Sequence, residues 1–180
     1  EGHELTPRRP VTQPGQYACE ERVDIIGPKR TLERVGIIGP LRGRSQVELA
    51  QTDEFTLGID APIRCSGDLD NTPGITLRGP AGTYTLQEGV IQAQRHIHMH
   101  PDDATHFGVG HKDIVEVRID SGGRDLTFGD VVVRVKDSYK LEMHVDTDEG
   151  NAAGVCRGMT GEIAMTPAEV KITKRNATEE

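Results

Sequence analysis

The sequence predicts a mainly β protein of many short strands with few short helices, and three observations carry that prediction. Aromatic residues make up only 3% of the chain and Trp is absent, so the core must come from Val, Ile and Leu. Those residues fall in short runs, and the β-branched ones among them suit the pleated surface of a sheet. The 21 Gly and 10 Pro recur at short intervals between the runs, as turn residues do.

In chain order, strands are expected at 21–26, 35–38, 46–50, 74–77, 82–86, 114–119, 130–135 and 140–145. Gly27-Pro28, Gly39-Pro40, Gly79-Pro80 and Ser121-Gly122-Gly123 supply the punctuation. Helices are expected to open at Thr52-Asp53-Glu54-Phe55, Pro101-Asp102-Asp103-Ala104 and Thr166-Pro167-Ala168-Glu169, each with an Asp, Thr or Pro suited to a helix start. A further short helix is expected to run through Ala152 and Ala153, capped by Thr147. So many strands need their sheet edges covered, which favours closed or barrel-like modules. Ile25-Ile26-Gly27-Pro28-Lys29 has an echo in Leu77-Arg78-Gly79-Pro80-Ala81, which fits either two related β modules or plain reuse of a strand followed by Gly-Pro.

A chain of 180 residues suffices for one ordinary domain or two small ones. Cys19, Cys65 and Cys156 are odd in number and far apart, which indicates neither a disulfide framework nor a cysteine-rich zinc finger and suits a reducing compartment. The net charge of -8 argues against nucleic acid as a partner, so any anionic ligand must be held by local basic residues. No apolar run approaches a membrane span and no signal pattern opens the chain, so a soluble, unexported protein without a membrane partner is expected.

The chemistry centres on Arg95-His96-Ile97-His98. In a strand His96 and His98 share a face, with Ile97 on the other, which makes a chelating pair. Leu141-Glu142-Met143-His144 alternates in the same way and offers His144 as a third ligand. Three neutral imidazoles suit Zn²⁺ and leave a coordination position open, the catalytic pattern; surface or hydrogen-bonded histidines are the competing reading. His100 ranks below these three because Pro101 and two acids follow it at once. His106 and His111 read as solvated loop histidines.

A second constellation is Gly39-Pro40-Leu41-Arg42-Gly43-Arg44, followed by Ser45, Gln46 and Glu48. Guanidinium forks match phosphate geometry, and the same run also fits a solvated basic turn. Asp146-Thr147-Asp148-Glu149 lacks the Gly and the final carboxylate of a Ca²⁺ loop, so Asn151 is read instead as facing a ligand near the metal.

Together, Gly39-Pro40-Leu41-Arg42, Ser66-Gly67-Asp68-Leu69, Pro73-Gly74-Ile75, Arg95-His96-Ile97-His98-Met99 and the run from Leu141 to Asp148 resemble the PduL-type phosphate propanoyltransferases, the phosphotransacylases of bacterial microcompartments. The resemblance implies two tandem small β-barrels capped by short α-helices, at 1–92 and 93–180, with two Zn²⁺ ions per complete active site and coenzyme A between the barrels. The implied reaction is acyl-CoA, with propanoyl-CoA the expected donor, plus phosphate giving acyl phosphate plus CoA. By resemblance, His96, His98 and His144 bind one metal, Glu48 is a carboxylate ligand of the other, Arg42 is the catalytic, phosphate-binding arginine, and His144 and Asn151 contact CoA. The family also has an N-terminal R-H-x-H element with no counterpart before His96, so the first module is expected to lack it, together with a targeting extension. A homo-oligomer, a dimer or larger, is implied, with microcompartment shell or core enzymes as partners and the microcompartment lumen or cytoplasm as location.

The expected mechanism is direct, metal-assisted transfer, since no Ser or Cys stands out as a covalent nucleophile. Metal-dependent hydrolysis differs from it in needing no phosphate, and a metal-stabilised binding module differs in showing no turnover.

Overall fold

The computed structural model describes residues 4–164 of the chain. It is mainly β: thirteen strands and three short helices lie among those residues. The first sheet contains β1 (Pro7–Pro10), β2 (Tyr17–Ile26), β3 (Thr31–Gly39), β6 (Ile75–Gly79) and β7 (Gly82–Leu86). Strand β2 pairs with β3 along one edge, while β1 and β6 share the other, all antiparallel. A three-stranded parallel sheet places β8 (Val90–Ala93) between β4 (Val47–Leu49) and β5 (Ile63–Arg64). The third sheet runs in the order β12 (Glu142–His144), β9 (His96–Met99), β11 (Leu126–Val135), β10 (Ile114–Ile119), β13 (Gly161–Ala164).

Two hydrophobic cores follow from this arrangement. One gathers Ile25, Val47, Leu49, Leu57, Ile75 and Val90 between the first two sheets and α1 (Gln51–Leu57). The other gathers Ile97, Met99, Val117, Phe128, Val131 and Val133 from the third sheet, with Ala104 of α2 (Pro101–Phe107) and Ala153, just after α3 (Thr147–Ala152), packed on it. Between the cores the chain passes from β8 to β9 through only Gln94 and Arg95.

Strand alternation aims the polar residues. In β4, Val47 and Leu49 are buried while Glu48 points outward. In β9, Ile97 and Met99 enter the second core, and His96 and His98 take the opposite face.

The helices end and begin by short-range chemistry. Gly58 closes α1 at φ 77°, and its N–H donates to the Glu54 carbonyl at 2.7 Å. Asp146, not Thr147, is the N-cap of α3: its carboxylate accepts from Glu149 N–H at 2.8 Å, and the Glu149 carboxylate accepts from Asp146 N–H at 3.0 Å. Both residues are cap formers, but only Asp146 has a Glu three positions on to complete the reciprocal pair. The expected helix opening at Thr166 lies outside the described residues.

The internal echo resolves into two hairpins of one sheet. Gly27-Pro28 turns β2 into β3, Gly79-Pro80 turns β6 into β7, and Ile25 is the Cα partner of Leu77. Gly27 also faces the backbone of Leu57, where a Cβ would collide with the Leu57 carbonyl oxygen. Lys29 N–H donates to that carbonyl at 2.9 Å, fixing the hairpin on α1. All three cysteines are free thiols, Cys19 buried and the other two exposed. Among the described residues no helix is long and apolar enough to cross a membrane.

Candidate metal and substrate site

The third sheet brings the three histidines together. Strand β12 lies antiparallel to β9 with His144 opposite His96 and Glu142 opposite His98. Directly opposed residues share a face, so three imidazoles meet on one side. Their ring centroids lie 4.6 to 4.9 Å apart, and their candidate ligand atoms all fall within 4.8 Å of one another.

Burial keeps this cluster neutral. Desolvation pulls the His96 imidazole down to about 4, against the opposing hydrogen bond to the Gln94 carbonyl. Desolvation likewise pulls His98 down to about 3, with His96, His144 and Arg134 adding to the effect. His144 is also lowered by burial, while the Glu142 and Glu48 carboxylates oppose the shift. Near neutral pH all three are in the form that ligates a metal.

A metal fits these residues. His98 is 7% exposed, and neither ring nitrogen has a hydrogen-bond partner among the described residues. Leaving buried nitrogens unsatisfied is costly, and a cation would satisfy one of them. The Nδ1 of His96 lies 2.8 Å from the Gln94 carbonyl oxygen. A carbonyl only accepts, so this Nδ1 carries the proton and Nε2 remains free for an ion, with the backbone fixing the tautomer. Among the described residues this trio is the one group of three or more ligating side chains placed to hold a metal.

A cavity of about 670 Å³ opens over the trio, and Arg42 and Glu48 line it as well. Arg42 is exposed on the segment between β3 and β4, after the cis Gly39-Pro40 bond. Arg44 anchors that segment with a 2.8 Å ion pair to Asp70. Gln46 links its two sides, donating to Ser66 Oγ at 2.8 Å and to the Glu48 carboxylate, while its own oxygen accepts from Gly67 N–H at 2.8 Å.

Asn151 stands apart. It is exposed and lines a separate cleft with Thr52, Phe55, Arg124 and Asp148. His100 is the N-cap of α2, its Nδ1 accepting from Asp102 N–H at 3.2 Å. His106 sits in the last turn of α2 rather than in a loop, and His111 accepts from Val135 N–H at 3.1 Å.

The sequence reading missed several residues of the cavity, Tyr139 and Gln13 among them. The Tyr139 ring covers His98, with centroids 4.1 Å apart. Gln13 is buried, with its Nε2 3.5 Å from His144 Nε2 and 3.4 Å from the Glu142 carboxylate. Tyr139 follows a turn and Gln13 precedes β2, so neither belongs to an alternating run that would have drawn notice.

Comparison with known proteins identifies the family. The family model described as phosphate propanoyltransferase matches residues 1–156. The phosphate propanoyltransferase of Thermotoga maritima is 55% identical over 153 residues, covering 85% of this chain and 73% of that protein. That of Salmonella typhimurium is 52% identical over the same shares, and that of Clostridioides difficile is 49% identical over 91% of this chain and 78% of its own. A histidine cluster fit for a metal, an arginine beside it, and about half of the aligned residues shared with such enzymes place this chain in the phosphate propanoyltransferase family of acyltransferases.

Proposed function

We propose that this chain interconverts propanoyl-CoA and phosphate with propanoyl phosphate and CoA by direct transfer at the trihistidine cavity. The observation that carries the reading is that His96, His98, His144, Arg42 and Glu48, from elements on either side of the β8–β9 link, line one cavity. Zn²⁺ is the proposed ion, since three imidazoles with an open position suit it. Bound there, it would supply Lewis-acid stabilisation of negative charge at the reacting centre.

The chain's own residues do the rest. Arg42 binds phosphate and holds a phosphate oxygen toward the thioester carbonyl carbon, so that orientation is settled before reaction. The new C–O bond forms as the C–S bond breaks, and the thiolate leaves with the electron pair. Tyr139 and Gln13 close the cavity floor beside His98 and His144, which limits water as a rival nucleophile. Gln46 and Ser66 hold the Arg42-bearing segment against the neighbouring turn.

Glu48 is proposed as a carboxylate ligand for a second ion at the same cavity. Asn151 is proposed as a CoA contact in its own cleft, with His144 at the reactive end. The two cores support a division into modules at 1–92 and 93–180, each proposed to be a small barrel. A homo-oligomer in the microcompartment lumen or cytoplasm, beside shell or core enzymes, completes the proposal.

The test is CoA release from propanoyl-CoA by metal-loaded protein, with and without phosphate. Release that requires phosphate is expected. Release without phosphate would make the protein a thioester hydrolase, and a stable acyl-enzyme formed from propanoyl-CoA alone would overturn direct transfer.

A further inference from the structure

One guanidinium beside the histidines has no assigned task. Arg134 stands on β11, whose parallel pairing with β9 makes it the Cα partner of His98. Glu142 is the partner of His98 on the other side, so Arg134, His98 and Glu142 form one row across three strands. Arg134 lines the same cavity as Arg42.

The two arginines share a feature that Arg44 lacks. Among the described residues neither the Arg134 nor the Arg42 side chain makes a hydrogen bond or an ion pair. Arg44 has its two terminal nitrogens on Asp70 at 2.8 Å and Glu88 at 2.5 Å. The nearest carboxylate in the row, Glu142, is engaged elsewhere, 3.2 Å from His144 Nε2. Arg134 is also half-buried, and its charge disfavours protonation of all three imidazoles.

A half-enclosed guanidinium without a counter-charge is unfavourable, and a cation held by the neighbouring imidazoles would make it more so. An anion entering the cavity reverses the sign of both contributions. Two unpaired forks, one from each core unit, match the charge and oxygen geometry of a phosphate dianion. The thioester group is neutral, so it gives them less to hold.

We propose that Arg134 is a second phosphate-binding residue, gripping phosphate from the histidine side of the cavity while Arg42 grips it from the β3–β4 segment. The proposal rests on the transferase reading above and deepens it. Arg134 then sets the affinity for the nucleophile and its orientation, and leaves recognition of CoA alone.

Steady-state kinetics of the metal-loaded full chain decide it, with phosphate and propanoyl-CoA varied separately in Arg134→Gln and Arg134→Lys. Loss of a charge-assisted hydrogen bond predicts that Arg134→Gln raises the KM for phosphate about tenfold or more, with the KM for propanoyl-CoA within about twofold of the parent. Arg134→Lys, which keeps the charge without the fork, is expected to fall between. A phosphate KM unchanged in Arg134→Gln, or an equal rise in both KM values, overturns the proposal. If Arg134→Gln does not fold, Arg134→Lys decides by the same quantity: several-fold weaker phosphate supports the proposal, and an unchanged value overturns it. Phosphate-independent CoA release by the parent would instead sink the transferase reading itself.

Discussion

His144 faces His96 across the β9–β12 pair, and their rings stack with centroids 4.9 Å apart and planes 12° from parallel. Sheet register fixes which face each ring takes and which residue it opposes, so the layout of the candidate ligands follows from strand pairing. His144→Ala or His98→Ala should weaken Zn²⁺ binding by more than the roughly 10–100-fold typical of an outer-shell partner. A competition titration against a colorimetric chelator reads this directly, and wild-type affinity in either variant would remove that histidine from the ligand set.

The metal-free protein should lose stability as the pH falls from about 6.5, the ordinary histidine value, toward 4. Over that window the unfolded chain takes up protons on His96 and His98 that the folded chain refuses, because burial holds the folded values at about 4 and about 3. Above about pH 6.5 these two groups are neutral in both states and contribute no pH dependence. Thermal unfolding of chelator-treated protein at pH 7 and pH 5 checks the sign, with the lower midpoint expected at pH 5. Substituting both histidines with Gln should flatten the difference.

Arg95 precedes the first ligand and reaches across to α3, pairing its Nε with Glu149 Oε1 at 2.7 Å. Both partners are mostly enclosed, and Glu149 also holds the cap of α3 just beyond His144. Arg95→Met should therefore cost about 1–2 kcal/mol of stability. Because it loosens the approach of β12 to β9, it should also weaken metal binding about tenfold. Denaturant unfolding and the same chelator titration read the two effects separately.

Leu57 is fully buried in the first core, beneath the β2–β3 turn. Leu57→Ala should destabilise the protein by about 2–5 kcal/mol, the range for opening a cavity under a buried leucine. The histidine trio draws no residue from that core, so metal affinity in the folded fraction should stay near the parent value. Calorimetry with and without Zn²⁺ would show whether the two properties separate in this way.

The grouping of the three histidines was legible in the sequence because each sits in an alternating run whose opposite face is apolar. The strand at Ile114–Ile119 was legible at both ends for the same reason, and that at Gly82–Leu86 from its β-forming Thr-Tyr-Thr after a Gly-Pro turn. Strand β1 was not, since Pro7-Arg8-Arg9-Pro10 carries two prolines and qualifies only as the exposed edge it forms. Strand β5 is two residues long, and β2 begins at Tyr17 rather than near 21 because pairing to β1 and β3 extends it. Asn151 shows the limit from the other side: its chain distance from His144 is short, yet α3 carries it into another cleft. Arg134 lay inside the expected strand 130–135, where its valine neighbours signal only a strand and nothing marks the arginine as part of a site.

The two residues between β8 and β9 make the site unusually sensitive to length. Strand β8 is clamped by β4 and β5 at one end of the run, and β9 by β11 and β12 at the other. Because side chains alternate with a period of two, one extra residue after Gln94 would have to be absorbed by a bulge or would turn the imidazoles into the apolar interior and Ile97 and Met99 outward. The spacing from β8, the strand beside Glu48, to the first histidine thus acts as a ruler that decides which face of β9 carries the imidazoles.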